Sequence, residues 1–149
     1  MKENIKNILR EDVSKNVLGD PPSSTNKIAM LVLDSNSQNK LINVTKEYIP
    51  EGWKLYAHHM TINFGKGLPE ELRGDLGTTK SVRAVEIGVS DMAVAIRVEG
   101  YHSDNDIPHV TIAVNPNGGK PVMSNKITNW EKLENYINLS GVVSEEKLN

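Results

Sequence analysis

The sequence predicts an α+β fold, and three observations carry that expectation. Short apolar or β-rich runs alternate irregularly with helical stretches, without the regular strand–helix–strand beat of a doubly wound sheet. The chain of 149 residues suits one compact domain. Its composition, 38% hydrophobic and 24% charged, is that of a globular chain with a core of its own.

The elements follow in order. Residues 2–17 read as a short helix with Ile5, Ile8, Leu9 and Val13 on one face. LGDPPSSTN, Leu18–Asn26, is a linker, so residues 1–25 form an arm and linker ahead of a domain at 26–149. KIAMLVL, Lys27–Leu33, is a buried strand. Ser35–Tyr48 is a helix capped by Asp34 or Ser35 and ended by Ile49-Pro50-Glu51-Gly52. Trp53–Phe64 is rich in β-branched and aromatic residues and predicts a strand. Leu68–Leu76 is a short helix or turn begun near Pro69. Val82–Val89 and Ala93–Val98 are paired strands, Gly100–Pro108 a polar loop, and His109–Val114 another strand. Asn115–Gly119 is a turn. Asn129–Leu139 reads as a last helix with Trp130, Leu133, Tyr136 and Ile137 inward, followed by a closing strand at Gly141–Val143.

Several classes fall away. With no cysteine, disulfides, thiolate metal sites and cysteine nucleophiles are excluded. A net charge of −2 argues against a grip on long duplex nucleic acid and favours a short contact, such as an end, a dinucleotide or a small cyclic molecule. MKENIKNILREDVSK holds no apolar run of signal-peptide length, and no stretch is long enough to span a membrane, so a cytoplasmic protein is expected.

Two strands share a pattern. His59-Met60-Thr61-Ile62-Asn63-Phe64 and His109-Val110-Thr111-Ile112-Ala113-Val114 both read His, apolar, Thr, Ile, any residue, apolar. In a regular strand, residues i and i+2 share a face. His59 and Thr61 then point one way, as do His109 and Thr111. Met60, Ile62, Phe64 and Val110, Ile112, Val114 point to the core. Paired imidazoles suit phosphoryl transfer. A neutral His takes a proton from the attacking oxygen and a charged one donates to the leaving oxygen, while threonine hydroxyls bond the phosphoryl oxygens.

These two His-x-Thr motifs resemble the hallmark of the 2H phosphoesterase superfamily, over most of the chain after about residue 26. The resemblance implies a bilobal α+β fold with pseudo-twofold symmetry, two antiparallel sheets lining a central cleft with one motif on either side. It implies catalysis by His59, Thr61, His109 and Thr111 with no metal and no cofactor. It implies small nucleotide substrates: 2′,3′-cyclic phosphate RNA ends, 2′-5′ linkages or cyclic nucleotides. Some members repair RNA, and some viral members destroy nucleotide second messengers of host defence, which would place the chain in a host cytoplasm. A non-catalytic nucleotide-binding sponge on the same scaffold is the alternative.

Other residues are candidates for substrate contact. Asn63 shares the face of His59 on a regular strand and either touches substrate or is a polar residue on a wet face. Tyr101, His102 and Trp53 can stack on a base. Lys120, after Gly118-Gly119, either reaches phosphate or belongs to an ordinary surface turn. His58 faces away from His59 and reads as a boundary residue. A zinc site leaves the repeated threonine unexplained, and a serine hydrolase lacks its nucleophile elbow around Ser90 or Ser124.

Overall fold

The computed structural model describes residues 26–148; the arm read at 1–25 lies outside them. Seven strands form one antiparallel sheet: β1 (Lys27–Leu33), β2 (Lys54–Leu55), β3 (His59–Gly65), β4 (Thr79–Val89), β5 (Ala93–Glu99), β6 (His109–Val114) and β7 (Trp130–Lys147). The order is β2-β6-β3-β1-β7-β4-β5, and β5 also pairs with β6. That last pairing joins the sheet to itself, so β1, β7, β4, β5, β6 and β3 make a closed six-stranded barrel.

This overturns the bilobal, two-sheet expectation. The strands carrying the two motifs are direct neighbours, Met60 opposite Val110, rather than walls of a cleft between lobes. Closure also removes the free strand edges that an open sheet must protect.

Alternation fills the barrel. Leu31 on β1, Met60 and Ile62 on β3, Ile96 on β5, and Val110 and Ile112 on β6 belong to one fully buried cluster. One helix, α1 (Ser35–Thr45), adds Leu41 to that cluster. Asp34 caps α1, its carboxylate accepting from Ser37 N at 2.8 Å. Among the described residues no helix is long and apolar enough to cross a membrane.

The predicted helix at Asn129–Leu139 is instead the first half of β7. The cause is a bulge. Ile137 pairs with Ala84 but Lys132 with Glu86, so β7 spends five steps where β4 spends two. Leu133 and Ile137 both pack on the core across this excursion, which imitates a helical period. Tyr136, read as inward, is 59% exposed and lies under the Arg83 guanidinium.

Candidate functional site

The site follows from register. Met60 and Val110 face each other and point inward. Their neighbours therefore point outward: His59 and Thr61 pair with Val32 and Met30 of β1, and His109 and Thr111 with Arg97 and Ala95 of β5. The two motifs form one patch on the outer wall of the barrel. The two imidazoles are close enough that His109 adds to the forces lowering the His59 pKa.

Bulges shape both strands at the same motif position. On β3, Met30 of β1 pairs with Thr61 while Ala29 pairs with Asn63, leaving Ile62 as the extra residue. On β6, Ala95 of β5 pairs with Thr111 while Val94 pairs with Ala113, leaving Ile112 extra. Each bulge exchanges the faces beyond it. Phe64 thus packs outside with Ile28 and Met30, not in the core as regular alternation predicts. Likewise Ala113 joins the core and Val114 pairs with Ala93, an outer residue.

A third irregularity precedes His59. Leu55 pairs with Ala113, and Ala57 N donates to Thr111 O at 2.9 Å, whereas Met60 already faces Val110. His58 and His59 are the surplus. Ala57 takes a left-handed conformation there, φ 48°. The kink breaks the alternation that would turn His58 away. Instead His58 Nδ1 lies 3.1 Å from His59 Nδ1, and the rings meet edge to face. Sequence reasoning assigned His58 to a boundary; the doubled His-His before a strand was its one visible signal.

Burial disfavours the charged form of both motif histidines. Burial above all, then the imidazoles of His58 and His109, push His59 down from 6.5 to about 3. Burial lowers His109 too, opposed by its bond to the Ile107 carbonyl. That bond, 2.7 Å from Nδ1, places a proton on Nδ1 and leaves the Nε2 lone pair for another group.

Thr111 is held from the far side. Its hydroxyl lies 2.8 Å from Ser124 Oγ and donates to the Pro121 carbonyl at 3.3 Å. Both belong to the 3-10 turn Pro121–Lys126, and Ser124 is buried. Lys120 immediately precedes this turn, so the chain brings it to the Thr111 side of the patch.

The remaining candidates lie elsewhere. The Ile62 bulge sets Asn63 opposite the interior residue Ala29, off the face of His59 and Thr61. Its amide donates to the Asp104 carboxylate and its carbonyl accepts from Lys66 N. His102 Nε2 meets the other Asp104 oxygen at 2.7 Å, so Asn63, Asp104 and His102 form a small group after the bulge. Tyr101 donates to Asp75 at 2.7 Å, and burial together with that carboxylate raises its phenol to about 12. Trp53 packs partly on the core. Among the described residues no three His, Cys, Asp or Glu side chains gather as metal ligands would.

No known protein-family model matches the chain, and no curated protein matches it.

Proposed function

We propose that this chain is a metal-independent phosphodiesterase acting on a small nucleotide phosphodiester, a cyclic oligonucleotide or a 2′,3′-cyclic phosphate end, with His59 and His109 as its acid–base pair. One observation carries the reading: two His-x-Thr motifs on neighbouring strands, in a register that sets both imidazoles and both threonines on one face.

The tautomer divides the labour. His109 Nε2, with its lone pair outward, takes the proton of the attacking water as the new P–O bond forms. His59 donates to the leaving oxygen as the old P–O bond breaks. In the free protein His59 resists charging. An anionic phosphoryl group set between the rings supplies the opposite charge that favours its proton. Thr61 steadies the non-bridging oxygens, and Thr111, on the same face of β6 as His109, adds a hydroxyl anchored by Ser124.

The test is turnover of a panel of cyclic dinucleotides and nucleoside 2′,3′-cyclic phosphates. His59→Ala and His109→Ala should each lose about 10²–10⁴-fold in kcat with the fold intact by circular dichroism. Full activity in either variant refutes the assignment. Recovery of every nucleotide bound but unchanged makes the chain a binding protein instead.

A further inference from the structure

The two motif strands are joined thinly. Among the described residues, β3 and β6 pair only at Met60 and Val110. Pro108, just ahead of His109, has no N–H with which to carry the ladder further. The Gly100–Pro108 loop between β5 and β6 takes over. Asp104 N donates to the Ile62 carbonyl at 2.8 Å, and Ser103 Oγ donates to the Thr61 carbonyl at 2.7 Å. Ser103 Oγ also accepts from Asn105 N at 3.2 Å, which fixes the aim of the hydroxyl. Further along, the same loop presents the Ile107 carbonyl to His109 Nδ1 at 2.7 Å.

We propose that Ser103 is a positioning residue for the His59–His109 pair, holding the β3 bulge against the loop whose carbonyl orients His109. This rests on the phosphodiesterase reading. The bulge sets the need. An extra residue at Ile62 disrupts the ladder locally, and the carbonyls there must find donors elsewhere. Ser103 and Asp104 supply them, so one loop grips the strand of the first motif and the imidazole of the second. Relative placement matters because a displacement of about 1 Å between reacting groups costs on the order of 10²-fold in rate.

The loop is fastened at three places, and they differ in kind. Its start is tied by Tyr101 to Asp75 at 2.7 Å, and its end by the Pro108 carbonyl to Val98 N at 2.9 Å. Neither of these reaches β3. The middle fastening does. Part of it, the Asp104 carboxylate with Asn63 and His102, is exposed and competes with water. Asp104 N is a main-chain donor that any residue except proline offers at that position. The Ser103 hydroxyl is half-buried and belongs to the side chain, so it is the part that a substitution can remove.

The experiment uses the full chain with Ser103→Ala, Ser103→Thr, and Asp34→Ala as a control that loses a helix cap and no loop contact. Steady-state rates are read on nucleoside 2′,3′-cyclic phosphates and cyclic dinucleotides. NMR follows the His109 ring Nδ1–H without substrate. In Ser103→Ala, kcat should fall about tenfold with KM little changed, and the His109 ring N–H should exchange with water about tenfold faster. Ser103→Thr restores the hydroxyl and should restore both readouts; Asp34→Ala should leave both at wild type. An unchanged kcat or an unmoved His109 ring N–H in Ser103→Ala overturns the proposal, as does an equal fall of kcat in Asp34→Ala. Should Ser103→Ala fail to fold, the wild type decides: the Asp104 amide and the His109 ring N–H should exchange with the same dependence on urea, and independent exchange overturns the coupling. If no substrate is turned over while the His109 ring N–H responds as expected, the catalytic reading fails and the coupling of Ser103 to His109 stands.

Discussion

Acidification should destabilise this protein through His59, and Asn in its place should remove that part of the loss. In the unfolded chain this imidazole charges near 6.5; in the fold it stays neutral down to about 3. Between those values the unfolded state binds a proton that the native state refuses. Stability is therefore intact above pH 6.5 and falls as pH drops towards 3, by up to about 1.4 kcal/mol per unit. Across the window the loss is on the order of 4 kcal/mol, a large part of the stability of a small domain. The assay is urea denaturation at intervals from pH 7.5 to pH 4, for wild type and His59→Asn. The variant starts lower because packing is lost, but its curve should be flatter through this range. Parallel curves would refute the claim that the fold holds His59 neutral. The His59 ring titrating near 6.5 in the native NMR spectrum, assigned by its loss in His59→Asn, would do the same.

Ser124→Ala removes the hydroxyl that meets Thr111 in a buried position. It should cost about 1 kcal/mol in denaturant and lower kcat while leaving KM close to wild type. Asp34→Ala uncaps α1 and should lose about 1 kcal/mol with activity retained. Glu145→Ala breaks two bonds to Arg73 and one to Leu68 N, on a carboxylate whose side chain is only 11% exposed. Thermal unfolding should report a loss of about 2–3 kcal/mol. Ala57→Gly should be near neutral in stability, since relief of the left-handed strain offsets the lost methyl, while Ala57→Val should lose several kcal/mol. A tolerated valine would mean that the kink before His59 is not held by this residue.

The sequence makes the local elements legible where one physical rule governs. KIAMLVL reads as a strand because it is apolar and bounded by polar residues, and Asp34 reads as a cap because its carboxylate reaches the first turn. The His-x-Thr faces are legible from alternation alone, and Met60 and Val110 are buried as that rule requires. What alternation cannot supply is the place where it fails. Phe64, Val114, Asn63 and His58 are all misplaced by counting in twos, and each lies beside or beyond a bulge. Nor does local pattern reveal barrel closure, because the pairing of β5 with β6 joins segments through the Gly100–Pro108 loop and leaves no mark on either strand. The Asn129–Leu139 stretch fails for a related reason: a bulged strand and a helix can bring the same side chains to the core.

A closed barrel of six strands fills its interior with side chains, so polar chemistry is confined to the wall or the ends. On a wall, regular strands would offer only a flat lattice of alternating residues. The bulges break that lattice. At Ile62 and Ile112 an extra inward residue follows each threonine, so the core keeps its isoleucine while the next positions change face. Ahead of His59 the extra residues bring a second imidazole against the first, and the turn after β6 folds back to anchor Thr111. This accounts for the shared wording of the two motifs as far as isoleucine and their divergence after it. The His and Thr must face out, the apolar residue between them and the isoleucine must face in, and beyond the bulge each strand answers to a different neighbour. A substitution that straightens either bulge, such as deletion of Ile62 or Ile112, should therefore abolish activity even where a β-rich spectrum survives.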